Sequence, residues 1–214
     1  MEYQIYQNCK GLNYIRIHLT SRHMFKAYNY LLTKHPLVTK SVTCGVISFF
    51  GDAVGQLIEI KTMKSQDGIL DFKRMSTFFL YGSLILGPTL HSWYARILPR
   101  LVPQVGGFAA LKKMLIDQAI VPPTLIFVFY SFFNFVEGKS ATHTKNELRN
   151  KYLETLMLNY KVWPFANFVN FMLVPIQYQV LFQNFISLFF TAALSIIKNS
   201  KASKSESKQV KVEF

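Results

Sequence analysis

Four apolar runs, separated by short basic segments, organise the chain. The first, Ser41 to Ile58, is interrupted only by Asp52, and the second, Met75 to Ala95, carries no formal charge but has His91 near its end. The third, Met114 to Val136, places Asp117 near its start and Pro122 and Pro123 inside. Each is about long enough to cross a hydrocarbon slab of ~30 Å at ~1.5 Å per residue. The fourth differs: the 36 residues from Val162 to Ile197 lack a charge, and as one straight helix they would reach roughly 54 Å. Such a run must bend, tilt or divide. Pro175 is the predicted break, because proline removes a backbone donor and clashes with the preceding turn. An interfacial segment from Trp163 to Val174 followed by a span from Pro175 to Ile197 fits, and so does one central span with a long extension. The predicted fold is an all-α, polytopic membrane helical bundle of about four spans.

Amphipathic stretches flank these runs. Residues 1–36 are basic, with Lys10, Arg16, Arg22, Lys26 and Lys34 against Glu2, and Met24, Tyr28, Leu31 and Leu32 recur at helical spacing. This segment reads either as a mitochondrial address or as a helix lying on the membrane surface. The stretch THTKNELRNKYLETLMLNY (residues 142–160) predicts a second surface helix, with Thr144 and Glu147 at capping-box spacing. Residues 37–197 form the predicted membrane domain. Residues 198–214, rich in Lys and Ser, read as a polar, disordered tail.

Composition supports the membrane reading. Half of the 214 residues are hydrophobic, with 20 Phe and 11 Tyr, yet the net charge is +13. The basic residues sit between the runs, where they set topology and meet anionic lipid headgroups. With four spans, Lys and Arg divide fifteen against nine, which puts both termini on the cytoplasmic or matrix side. Direct nucleic-acid binding by the core is not expected, since the aromatics lie inside apolar runs instead of alternating with Lys and Arg. Cys9 and Cys44 lack metal-ligand or redox spacing. No cofactor, metal site or catalytic residue is predicted, and GxSxG, HExxH and P-loop patterns are absent.

The candidate chemistry is polar groups within apolar runs. An ionised carboxylate at a span's centre costs at least ~2.5 kcal/mol, so Asp52 should face the bundle interior, either lining a pathway or pairing with a basic or amide group. Gly51 and Gly55 form a small-xxx-small step beside it. Asp117 is expected near a headgroup, paired with Lys113 one turn away. His91 with Trp93, Tyr94 and Arg96 predicts an interfacial belt with a snorkelling arginine. In an unbroken helix Asn170, Gln177 and Asn184 would form one axial stripe, and Gln179 and Gln183 an i, i+4 pair. These amides can line a hydrated path or replace the backbone partners lost at Pro175. Asp52, Asn170 and Gln177 are the pathway candidates; Gly51, Gly55, Pro164 and Pro175 are the packing or backbone-break candidates.

The stretch NYKVWPFANFVNFMLVPIQYQV (residues 159–180) resembles the C-terminal pattern of the Mpv-seventeen and 22-kDa peroxisomal membrane protein family. Its matching residues include Trp163, Asn170, Phe171 and Val174. HPLVT, GDAVGQ, YGSLILGPTLHSWY, DQAIVPP, the EG pair at Glu137 and Gly138, and NFISLFFTAALS follow the family order, over roughly residues 30–196. Gln179 stands where the family usually has an arginine, and Phe190 and Ala193 replace an expected tryptophan and tyrosine. The chain's length and the LKKMLIDQ stretch make it most similar to the Mpv-seventeen-like protein two branch. The resemblance implies a multi-span protein of the mitochondrial inner membrane, or alternatively of the peroxisomal membrane, associated with small-solute passage. For that branch it also implies mitochondrial ribosome assembly and translation. The expected partners are therefore the lipid bilayer, anionic lipid, a second copy of the chain and mitochondrial ribosomal particles.

Overall fold

A computed structural model describes residues 23, 26–63 and 69–189, and these are helical apart from short connections, with no strand among them. Residues up to Thr39 and residues from Lys40 onward form two compact units. In the first, α1 covers residues 26–34, and the Thr39 hydroxyl donates to the carbonyls of Leu31 at 3.0 Å and His35 at 2.8 Å. Met24 and most of the basic N-terminal segment lie outside the described residues, as do Phe190, Ala193 and residues 198–214.

The remaining elements are α2 (Pro36–Met63), α3 (Phe72–Leu80), α4 (Gly87–Ser92), α5 (Leu98–Leu101), α6 (Gly107–Val136), α7 (Ala141–Leu173) and α8 (Gln179–Phe189). Wide π turns at Tyr81–Leu86 and Trp93–Ile97 join α3, α4 and α5 into one continuous helical run over residues 72–101. Each π turn ends just before a proline, Pro88 or Pro99. Proline cannot donate to the carbonyl four residues back and crowds it, and at both places a five-residue bond replaces the regular one: Gly87 N–H reaches Gly82 O and Leu98 N–H reaches Trp93 O.

Local chemistry sets the helix ends. The Asp71 side chain accepts from Arg74 N–H at 3.0 Å and starts α3. Gly138, at φ +69°, supplies the left-handed residue after α6. Ser140, rather than Thr144, caps α7, its hydroxyl accepting from His143 N–H at 3.2 Å. Glu147 therefore lies inside α7, where it accepts from Lys151 and from Asn134 of α6, each at 2.7 Å. These two partners, Lys151 first, hold its carboxyl below the usual range. Pro175 breaks the chain as predicted: Val174 is extended, a turn follows, and α8 begins. Pro164 does not, and the predicted surface helix and the Trp163 segment are one 33-residue helix.

Neighbouring helices alternate in direction. Arg74 meets Asp52 and Glu59 across the α2–α3 pair. Tyr152, Tyr160 and Asn134 tie α6 to α7 head to tail. Gln183 of α8 donates to Asn167 of α7, and Asn170 donates to the Gln179 carbonyl, so α8 turns back on α7. The alternating segments thus number five among the described residues.

Two helices, Pro36–Lys61 and Gly107–Val136, are long and apolar enough to cross a membrane. The packing is inverted relative to a water-soluble core. Phe50, Leu84, Phe108, Phe127, Phe165 and Phe185 face outward, while Asp117, Asn134, Asn167, Asn170 and Asn184 are almost fully buried. Polar groups gather inside because hydrogen-bond partners exist there and not in hydrocarbon.

Candidate functional site

Asp117 lies deep in the bundle, 1% exposed. One carboxylate oxygen accepts from Trp93 Nε1 at 2.8 Å; the other accepts from Asn167 Nδ2 at 2.5 Å and Gln118 Nε2 at 3.1 Å. The predicted headgroup pairing with Lys113 does not form, because that ammonium turns to the Gln104 carbonyl at 3.4 Å. Trp93 and Tyr94 likewise depart from the predicted interfacial belt. Both are core residues, packed with Leu90, Leu98, Cys44 and Val180, and His91 is buried beside them. Only Arg96 remains exposed. An aspartate can serve as a ligand here because α6 offers it to the tryptophan of one neighbour and the asparagine of another.

Prolines and amides fit together around this carboxylate. Pro122 cannot donate to the Gln118 carbonyl four residues earlier, and the Tyr160 hydroxyl donates to it instead at 3.0 Å. At the α7–α8 break, Gln179 Nε2 donates to the Val174 carbonyl at 3.2 Å. Asn170, fully buried, donates to the Gln179 carbonyl at 3.4 Å. Asn184 donates to Cys44 Sγ of α2 at 3.0 Å. The predicted stripe of Asn170, Gln177 and Asn184 does not exist, since the turn at Pro175 leaves Gln177 exposed and brings Gln179 and Gln183 inward. Phe171 packs edge-on against Tyr94, with centroids 5.5 Å apart.

Asp52 occupies a different setting. It is 3% exposed and accepts from Arg74 Nε at 2.8 Å and Gln56 Nε2 at 2.7 Å. Arg74 also reaches Glu59 at 3.0 Å. Gln56 accepts from Asp71 N–H at 2.6 Å, so one glutamine joins the carboxylate to the start of α3. The Gly51 step is not the close approach it suggests: a side chain there would meet nothing within 4 Å. The tight seam lies nearer the start of α2. A Cβ on Gly45 would stand 2.9 Å from the Phe79 carbonyl, one on Gly82 2.8 Å from the Cys44 carbonyl, and one on Gly87 2.5 Å from Ser41 Cα. Ser41, Gly45 and Ser48, at helical spacing, were the missed sequence signal for this seam.

Two cavities adjoin inside the bundle. The larger, about 470 Å³, has Asp117, Gln118, Asn159, Trp163 and Asn167 in its wall, with apolar walls from Val121, Leu125 and Ile126. The smaller, about 140 Å³, is lined by Gly51 and Asp52 together with Ile47 and Ser48. Tyr81, Leu86, Phe129, Asn184 and Ser187 line both. Of the predicted pathway residues, Asp52 reaches a cavity and Asn170 and Gln177 reach neither. No cluster of His, Cys, Asp and Glu among the described residues could hold a metal.

Apolar outer faces around a hydrogen-bonded polar interior define the class as a helical membrane protein. The particular family follows from comparison: the chain belongs to the Mpv17 / PMP22 family, whose model matches residues 134–195. It is 37% identical over 182 residues to PXMP2/4 family protein 2 of Dictyostelium discoideum, covering 84% of this chain and 93% of that one. It is 30% identical over 175 residues to peroxisomal membrane protein 2 of Bos taurus, covering 81% and 89%. To mitochondrial inner membrane protein Mpv17 of Xenopus laevis it is 32% identical over 173 residues, covering 80% and 95%. No solved structure matches the chain.

Proposed function

We propose that this protein lets small solutes pass across an organellar membrane, that of the mitochondrial inner membrane first and the peroxisome as the alternative. The observation that carries the proposal is the pair of adjoining cavities, which follow the bundle interior from Asp52 to Asp117 past the shared residues Tyr81, Phe129, Asn184 and Ser187. Their walls combine carboxylates and amides with apolar surface, and the outer helix faces suit lipid. α2, the run over residues 72–101 and α6 would each cross the bilayer, while α7 would enter it with its uncharged part beyond Lys161 and form with α8 the broken pair at Pro175. Relatives named for the mitochondrial inner membrane and for peroxisomes support both addresses. Such passage needs no catalytic group.

Reconstitution into planar bilayers tests the proposal. The purified protein should conduct, and Asp52→Asn should change the ratio of cation to anion permeability. Conductance no greater than that of protein-free bilayers would refute it. An organising role that docks mitochondrial ribosomal particles through the basic tail would use residues 198–214, which lie outside the described residues.

A further inference from the structure

The larger cavity is chemically lopsided. Val121, Leu125 and Ile126 give it apolar flanks, whereas Asp117, Gln118, Asn159 and Asn167 give it polar groups, with the Trp163 indole beside them. Both Asp117 oxygens accept hydrogen bonds, the pattern of an ionised carboxylate. The ion pairs among the described residues use Asp52, Glu59, Glu137 and Glu147, and none uses Asp117. Beside it, Gln118 is 7% exposed and has its Nε2 committed to Asp117, which fixes its amide orientation and turns Oε1 away. That buried oxygen has no hydrogen-bond partner among the described residues, and neither has the buried Oδ1 of Asn159. Buried acceptors without donors are uncommon in folded proteins.

We propose that this cavity binds a small amphiphile carrying a primary ammonium group. The ammonium donates to Gln118 Oε1 and Asn159 Oδ1 beside the Asp117 carboxylate, and the apolar body lies along Val121, Leu125 and Ile126. A volume of about 470 Å³ is ordinary for a small-molecule site. A carboxylate head would face acceptors and a like charge, and an alcohol would bring one donor without charge. The ligand class rests on reading this cavity as the solute compartment of the proposed passage, but equilibrium binding is measured without any flux.

The chain's two tryptophans report on the site, since Trp163 lines the cavity and Trp93 donates to Asp117. The full-length protein in phosphatidylcholine nanodiscs is titrated with phenylbutylamine, phenylbutanol and phenylbutyrate while tryptophan emission is followed. The amine should saturate the signal at a concentration at least about tenfold below the butyrate, with the alcohol between them. Asn159→Leu removes an acceptor at similar volume and Val121→Phe fills the apolar end; each should raise the amine's half-saturation at least about threefold. Equal half-saturation for amine and butyrate overturns the proposal. So does unchanged amine binding in both variants when their melting temperatures match the parent. Should the variants not fold, the ranking of the three ligands on the unaltered protein decides alone. Ranked binding without conductance would keep the site and remove the passage; conductance without ranked binding would do the reverse.

Discussion

Asp52 and Asp117 are both buried carboxylates in apolar helices, and their surroundings solve the same problem differently. Asp52 has a counter-charge: Arg74 of α3 bridges it to Glu59 of α2, and Gln56 links it to the α3 cap. Asp117 has neutral donors from three helical segments and stands at a cavity wall. The first arrangement joins two consecutive helices. The second joins segments distant in sequence and stands beside the Gln118 and Asn159 acceptors in the wall of the larger cavity.

The largest effect should come from the site without a counter-charge. Asp117→Ala strips a shared acceptor from Trp93, Gln118 and Asn167 at once, and leaving such buried donors unmet should destabilise the fold by about 3–5 kcal/mol. Thermal unfolding in detergent would show it, whereas Asp117→Asn, which keeps one acceptor oxygen, should lose less.

Packing at the seam between α2 and the run over residues 72–101 comes next. Gly87→Ala drives a methyl group to 2.5 Å from Ser41 Cα and should cost about 1–3 kcal/mol. Gly51→Ala meets nothing within 4 Å and should be neutral or stabilise α2 by about 0.5 kcal/mol, since glycine is unfavourable inside a helix. Equal losses for both would show that the seam lies elsewhere.

Arg74→Leu abandons Asp52 to a buried setting. With the guanidinium side chain 39% exposed, solvent screening reduces the expected loss to about 1–2 kcal/mol. Adding Asp52→Asn should recover part of it, because the coupling is between charges. A double variant as unstable as the sum of the single ones would contradict the ion-pair account.

The smallest effect concerns Glu147. Its folded-state carboxyl titrates below its ordinary value because Lys151 and Asn134 donate to it. Its contribution is therefore complete above the unfolded carboxylate range and lost as pH falls through the lowered folded value. Melting temperature should drop with acid slightly more in the parent than in Glu147→Gln. Identical acid slopes would remove that contribution.

The helical architecture and the Pro175 break were legible because apolar run length and proline stereochemistry act locally. The buried, paired state of Asp52 was legible too, since an intramembrane carboxylate demands partners. Asp117 was misread because its nearest basic residue in sequence, Lys113, looked sufficient, whereas its actual ligands lie 24 and 50 residues away. The amide stripe failed for a geometric reason: it assumed one helical phase through Pro175, and the turn reset that phase. The π turns before Pro88 and Pro99 had a readable cue in the prolines, but a widened turn and a kink begin from the same residue. Ser140 was passed over as a cap because Thr144 with Glu147 fits the capping-box spacing, whereas His143 stands three residues after Ser140.

The central claim is that solutes move through the two joined cavities, and plugging their junction tests it most directly. Ser187 lines both, and Ser187→Phe would place a ring between them. In proteoliposomes loaded with a small fluorescent solute, the parent protein should release it faster than empty vesicles do, and Ser187→Phe should slow that release by at least about tenfold at equal incorporation and equal melting temperature. Release at the parent rate through the plugged variant, or no release by the parent protein, would contradict the account.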